Sequence, residues 1–206
     1  MSQFFQIHPD NPQPRLLRQA VAILQDNGVI AYPTDSSYAL GWRIGDKTAM
    51  ERVAQIRQTD KDHNFTVVCR DLSEIATYGK IDNAQFRLLK AATPGPFTFI
   101  LSATSEVPRR LQNPKRKTVG LRVPDNTIVR ALIDALGEPL MSSTLILPGE
   151  ELPLNDPHRI RERLEHRIDL VIDGGSCPLE PTTVLDLTDE IPRVLRQGRG
   201  DATPFL

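Results

Sequence analysis

Four short stretches carry the residues best able to hold or move a charged group. They are YPTDSSYALG (Tyr32 to Gly41), TPGPFTFIL (Thr93 to Leu101), VGLRVPD (Val119 to Asp125) and PTTVLDL (Pro181 to Leu187). Each joins an apolar, strand-like run to small hydroxyl residues, a glycine or a single charge. Such junctions leave backbone N–H groups and hydroxyls free for an anionic ligand. In the first stretch Thr34, Ser36 and Ser37 place three hydroxyls within four residues, more than a turn between two strands requires. They are expected to face a cleft floored by Tyr38. In the second, Pro94-Gly95-Pro96 reads as a stiff helix-to-strand turn and Thr98 as the one contact. Arg122 interrupts a run that otherwise reads as buried strand, where an unpaired guanidinium is very costly. Two partners would satisfy it: a carboxylate of the chain itself, or a ligand carboxylate gripped bidentately.

Other chemistries lack their patterns. The chain has no GxSxG, GxxxxGK[ST] or GxGxxG, and His8, His63, His158 and His166 do not show HExxH spacing. His158 and His166 read as solvent-facing residues on a charged helix. Cys69 and Cys177 have neither CxxC nor metal-type spacing, and both are expected to stay reduced. The formal net charge of −1 means that the whole protein is no electrostatic magnet for nucleic acid. Basic residues are nevertheless grouped: Arg109-Arg110 and Lys115-Arg116-Lys117 flank VGLRVP, and Arg193, Arg196 and Arg199 follow later. They form either a solvated loop with scattered arginines or a face that binds phosphates.

The elements that must position these residues alternate between helix and strand. Leu16, Leu17, Ala20, Ile23 and Leu24 have helical spacing, with Asn27-Gly28 as the stop. Val29 to Tyr32 reads as a strand ended by Pro33. Asp46 caps a helix from Lys47 to Arg57, Phe65 to Cys69 is a strand, and Asp71 and Asp82 are further caps, the second for a helix reaching about Ala92. Phe97 to Leu101, Val119 to Val123, Leu140 to Thr144 and Leu170 to Ile172 read as strands. Helices are expected from Thr127 to Leu136 and from Pro157 to Ile168, with a closing hairpin at Thr183–Leu187 and Arg193–Leu195. The pattern predicts an α/β fold on a mixed sheet. The 206 residues suggest a leader (1–14), one domain (15–200) and a short tail (201–206). No apolar run reaches membrane-span length and the N-terminus lacks a secretory pattern, so a cytoplasmic location is expected.

Taken together, the motifs resemble the YrdC/YciO-type domain family, which includes the threonylcarbamoyl-AMP synthases. Those enzymes use L-threonine, bicarbonate and ATP to make an adenylate for threonylcarbamoyladenosine synthesis in tRNA. The resemblance spans roughly Leu16 to Gly200. YPTDSSYALG is similar to the family's YPT-[DE]-T-x-YGLG and TPGPFTFIL to its PGP-x-T element. VGLRVPD is similar to [IV]-G-x-R-x-P, PTTV to STV, and LRQG to a terminal R-x-G. The implied fold is a twisted, mixed open sheet flanked by helices (YrdC/RibB-like), with a large, concave, positively lined cavity.

The resemblance also implies roles. Thr34, Ser36, Lys61, Arg122, Ser142 and Thr182 fall on the substrate side, with Arg122 as carboxylate clamp, and Thr118, Thr144 and Arg196 on the nucleotide side. His63, Arg57 and Thr144 fall at the chemistry, and it is here that the chain departs from the pattern. The synthase-type K-x-R-P-x-x-H-P-L appears as Arg57-Gln58-Thr59-Asp60-Lys61-Asp62-His63-Asn64-Phe65, and S-x-N as Thr144-Leu145-Ile146. A phosphate fork and an oriented amide are lost, each commonly worth about 3 kcal/mol of transition-state stabilisation. The expected function is therefore an RNA-binding (double-stranded RNA or tRNA) and nucleotide-binding relative of the synthases. It would act on threonylcarbamoyl groups by hydrolysis or weak synthesis. The alternatives are a full synthase, with Arg57 and Lys61 standing in for the basic pair, and a non-enzymatic RNA-binding protein working through Arg110, Lys115, Arg116 and Lys117. No tightly bound cofactor and no metal site of its own are expected; ATP or AMP with Mg2+ would be transient ligands. Structured RNA and a nucleotide or threonine-like small molecule are the expected partners, and no membrane.

Overall fold

The computed structural model describes residues 1–59 and 63–205; Lys61 lies outside them. The helices are α1 (Pro14–Gln25), α2 (Lys47–Arg57), α3 (Leu72–Tyr78), α4 (Asn83–Ala92), α5 (Thr127–Leu136) and α6 (Pro157–Leu164). Each after α1 opens on a short polar side chain that accepts a backbone N–H of the first turn: Asp46, Asp71, Asp82, Asn126 and Asp156. Such caps are worth about 1 kcal/mol each. Asp82 and Gln85 form a reciprocal capping box. Gly137 ends α5 at φ 76°, a conformation that glycine adopts without cost. Helix α6 is shorter than the expected 157–168, because the chain turns back after Leu164, with the Arg167 N–H donating to the Leu164 carbonyl.

Among the described residues ten strands form one sheet. They are β1 (Gln3–Gln6), β2 (Ile30–Tyr32), β3 (Ala39–Arg43), β4 (Thr66–Val68), β5 (Phe97–Ser102), β6 (Thr118–Arg122), β7 (Leu140–Thr144), β8 (Leu170–Asp173), β9 (Thr183–Asp186) and β10 (Arg193–Arg196). Their spatial order is β1-β8-β2-β3-β7-β4-β6-β5-β9-β10. The sheet is mixed, as expected: β1 and β2 lie parallel to β8, β4 to β6 and β5 to β9, while the other pairs are antiparallel. The closing hairpin β9–β10 is present. Two expectations about the ends are corrected. The supposed leader supplies β1, an edge strand, and the supposed tail buries Phe205 against Phe97, with ring centroids 5.5 Å apart.

Alternation along the strands sorts side chains to two faces. On one, α2, α3, α4 and α6 contribute Val53, Ile75, Leu89 and Ile160 to a cluster that includes Trp42, Phe99, Leu121 and Met141. On the other, α1 and α5 cover only part of the sheet, packing Leu24 and Leu132 on Ile30, Tyr32, Val68 and Leu140. Beyond those two helices the same face changes character. Strand β7 passes from Leu140 to Ser142 and Thr144, β4 from Val68 to Thr66, and β6 runs Thr118, Gly120, Arg122. The core face becomes a hydroxyl-lined floor within single strands.

Cys69 and Cys177 are free and buried, and burial pushes both thiols up, Cys177 to about 11. Among the described residues no helix is long and apolar enough to cross a membrane.

Tyr32 links the packed and open parts of this face. Its ring lies over Gly41, and its hydroxyl is 2.6 Å from Ser142 Oγ on the floor. A Cβ on residue 41 would stand 2.7 Å from the ring. Gly41→Ala is therefore expected to cost about 1–3 kcal/mol by overpacking, read as a lowered urea midpoint. A midpoint equal to that of the parent would show that the ring yields freely.

Candidate functional site

The uncovered floor lies in a cavity of about 290 Å3. Strands β5, β6 and β7 place Thr98, Thr118, Gly120, Arg122, Ser142 and Thr144 along it, and Thr182 and Arg196 close it from the β9–β10 side. Arg57, at the end of α2, His63 and Ile146 form the opposite wall. The structure thus brings Arg57, His63, Thr118, Arg122, Ser142, Thr144, Thr182 and Arg196 to one place, although they are spread over most of the chain.

Three guanidinium groups face this space, and each is held differently. Arg122 is 6% exposed; its Nη2 donates to Asp35 Oδ1 at 2.5 Å and its Nη1 to Ser36 Oγ at 3.4 Å. Its Nε is buried and has no partner among the described residues. Of the two partners the sequence allowed, the chain's own carboxylate is the one present, so Arg122 is not an empty clamp. Arg57 donates from Nη1 to Ser143 Oγ at 2.5 Å and from Nε to the Ile146 carbonyl at 3.3 Å. His63 Nε2 is 3.5 Å from Arg57 Nη1. Arg196 grips the Thr182 carbonyl with Nε at 3.0 Å and Nη2 at 2.9 Å. Thr182 Oγ1 lies 2.8 Å from Thr98 Oγ1.

Among the described residues neither Arg57 nor Arg196 meets a carboxylate, and none of those lining the cavity is acidic. The electrostatics follow. Burial lowers the pKa of Arg57, and burial together with the neighbouring Arg122 lowers that of Arg196. Uncompensated, partly desolvated cations around hydroxyl donors are a site for an anion. Burial also pushes the Tyr32 phenol up, which keeps it protonated beside Ser142.

Other expected contacts lie elsewhere. Thr34 does not face the cavity: its Oγ1 donates to the Ser37 carbonyl at 2.6 Å and accepts from the Ser36 and Ser37 amides. This is a local side-chain turn that shapes the loop. Ser36 braces Arg122, and of the three hydroxyl residues Ser37 alone lines the cavity. Tyr38 is no cleft floor; it is fully buried on the opposite face and donates to the Gly175 carbonyl at 2.7 Å.

In the basic group, Arg110 donates to the Gly45 carbonyl. Arg116 Nη1 lies 2.9 Å from Asp186 Oδ2, so it neutralises a buried acid. Lys115 and Lys117 remain exposed beside Thr118. Three contributors were missed: Asp35, Ser143 and Gly120. Gly120 was findable, since it shares the period-2 face of Thr118 and Arg122. Asp35 stood inside a quoted motif, but its partner is 87 residues away.

Removing one member of a buried ion pair strands the other. Asp35→Ala is expected to cost about 3–5 kcal/mol in urea unfolding, and the double variant Asp35→Leu/Arg122→Met to recover most of it. A single-variant loss below about 1 kcal/mol would show a well-hydrated guanidinium.

Asp186 offers a pH test. Burial pushes its carboxyl up, but the Thr188 hydroxyl and amide and the Arg116 guanidinium outweigh this and hold it below the usual range. Such a group adds stability above its unfolded-state pKa and loses it as pH falls through the folded value. Asp186→Asn should lower stability at neutral pH and flatten the acid limb of the stability profile. An acid limb of unchanged slope would count against the pairing.

The family model Sua5_yciO_yrdC, described as "Telomere recombination", matches residues 22–198. YciO of Escherichia coli K12 is 60% identical over 206 residues, covering all of both chains. Its crystal structure matches with a TM-score of 0.96 over the full length of both. A threonylcarbamoyl-AMP synthase of Bacillus subtilis 168 is 29% identical over 195 residues, 94% of this chain and 55% of that one. The crystal structure of P. abyssi Sua5 complexed with L-threonine gives a TM-score of 0.87 at 25% identity, covering 96% of this chain and 58% of that one.

Proposed function

This chain belongs to the Sua5/YciO/YrdC family, related to threonylcarbamoyl-AMP synthases, and we propose that it binds a threonylcarbamoyl-adenosine group and removes it by hydrolysis. The observation that carries this reading is the charge imbalance of the cavity: three arginines, one ion pair and a hydroxyl floor. The ligand is then an anion of the size of a carboxylate or phosphate joined to a larger polar body. In this reading the threonyl carboxylate meets the Arg57 and Arg196 guanidiniums, and Thr98, Ser142 and Thr182 meet the polar body.

Two features favour breakdown over synthesis. Ile146 turns an apolar side chain to the cavity where the synthase motif has an amide, and Thr59 does not line the cavity at all. The lining suits the phosphates of ATP, but among the described residues it offers a magnesium ion no carboxylate. In the hydrolytic step water adds to the carbamoyl carbon and the bond to the adenine amino nitrogen breaks. The nitrogen takes up a proton, and the N-carboxythreonine released decomposes to threonine and carbon dioxide. His63 serves as the base for that water, and the adjacent Arg57 stabilises the oxyanion that forms.

The RNA that carries the group fits the same reading. Lys115 and Lys117 are exposed and precede Thr118 in the chain, so they can meet phosphates, and the proposed setting is the cytoplasm.

The test is incubation of the purified protein with threonylcarbamoylated tRNA and, separately, with threonine, bicarbonate and ATP-Mg2+, followed by mass spectrometry. Loss of the group from tRNA is expected, slowed by about a hundredfold or more in His63→Ala. Gly120→Leu, which projects a side chain into the cavity from its floor, should abolish the reaction without unfolding the protein. Adenylate and pyrophosphate formation without loss from tRNA would establish a synthase instead. Silence in both assays would leave binding without turnover.

A further inference from the structure

A second hollow, of about 420 Å3, lies against the central cavity. The two share one wall, His63-Asn64-Phe65, each of whose residues lines both spaces. Helix α2 and the short helical turn Arg109–Leu111 build the far side. Its volume falls within the range of ligand sites. Apart from Glu51, whose carboxylate is 3.6 Å from Lys47 Nζ one turn earlier on α2, its lining has three distinct parts.

The first part is an apolar slab of Met50, Ala54, Phe65 and Leu111. Phe65 is fixed there edge-on between Trp42 and His63, at 5.0 Å from each ring. The second is hydrogen-bonding capacity. Among the described residues Thr59 Oγ1 is buried without a partner, and Gln112 commits its amide nitrogen to the Val107 carbonyl at 2.8 Å and leaves its oxygen uncommitted. The third is cationic: Arg109 is exposed and, among the described residues, has no acidic partner, and Arg110 stands beside it. Thr59 stands where the synthase motif carries an arginine, so a short hydroxyl side chain forms this wall.

We propose that this hollow takes the base adjacent to the modified adenosine in a single-stranded RNA, so that the two spaces hold successive nucleotides. The inference rests on the reading of the central cavity given above and extends it from a group to a strand. A planar apolar body with edge donors and acceptors matches the slab, the free hydroxyl and the amide. An anionic joint between two such bodies matches Arg109 at the mouth. Bases splayed out of a loop and packed on aromatic and apolar side chains are the usual means of single-strand recognition. The three-residue wall gives the spacing, because it separates two bodies while leaving them close enough to be neighbours on one backbone.

The experiment compares two probes by equilibrium binding: threonylcarbamoyladenosine as the free nucleoside, and a single-stranded pentaribonucleotide with that nucleoside at its centre. The parent protein should bind the pentanucleotide at least tenfold more tightly. Ala54→Leu, which fills the hollow, and Arg109→Ala, an exposed change that leaves the fold intact, should each erase most of that gain while leaving nucleoside affinity as it was. Nucleoside binding with no gain for the pentanucleotide would overturn the second subsite and leave the central cavity standing. A gain that survives Ala54→Leu would also overturn it, placing the extra contacts elsewhere. Equal loss for both probes would show that the hollow holds part of the nucleoside itself, against the proposal. Binding of neither probe would overturn both readings.

Discussion

The buried pair of Arg122 and Asp35 is the constraint on which the site depends. Arg122 sits at the end of β6, where the sheet face turns from core to cavity, and Asp35 sits in the loop between β2 and β3. The second oxygen of Asp35 accepts from the Asp125 amide at 2.8 Å, so one carboxylate ties the loop to the segment after β6. Desolvating both charges is expensive, and excellent geometry is what repays it. The pair therefore fixes the distance between a hydroxyl-rich loop and a floor strand. The pair also stands beside Arg196, whose charge is disfavoured by burial and by the neighbouring Arg122.

The departures from the synthase pattern acquire separate meanings once they are placed. Residue 57 stays in the cavity wall, with its guanidinium held by Ser143 and the Ile146 carbonyl. Residue 146 also stays there, but with an apolar side chain. Residue 59 leaves the cavity for the neighbouring hollow. The three changes do not weaken a common function evenly. Against the synthase motif, they put an anchored guanidinium for a lysine at 57, an apolar side chain for an amide at 146, and a short hydroxyl for the forked arginine at 59.

Much of the architecture was legible because local signals and burial agree in this chain. The caps Asp46, Asp71 and Asp82 stand before helices that begin where they indicate. Strand β3 was harder to see, since Ala39 to Trp42 are buried on both faces and show no alternation. Strand β1 is four residues long and gains its place only by pairing with β8, far along the chain. In the site, the period-2 alternation of β6 puts Thr118, Gly120 and Arg122 in one row, yet Gly120 went unread and Thr118 was named only through the family resemblance. The jobs of Thr34 and Arg116 were hidden for a different reason. A hydroxyl consumed by its own loop and a guanidinium spent on a buried acid look, in sequence, the same as free ones. Only tertiary proximity tells them apart.

The last strand of the sheet has a bearing on how constant the site is. Among the described residues strand β10 is paired on one side only, its register with β9 breaks between Val194 and Arg196, and Leu195 is 54% exposed. Edge segments of this kind open at a small fraction of the free energy needed to unfold the whole protein. Yet this strand carries Arg196, one of the three cations of the cavity. The pocket can therefore lose and regain one of the two cations that meet no carboxylate among the described residues by fraying at a hem, while Arg122 and the floor stay sewn into the middle of the cloth. Its grip on an anion is set partly by a local equilibrium at the rim, and a ligand that reaches Arg196 stitches that edge shut as it binds.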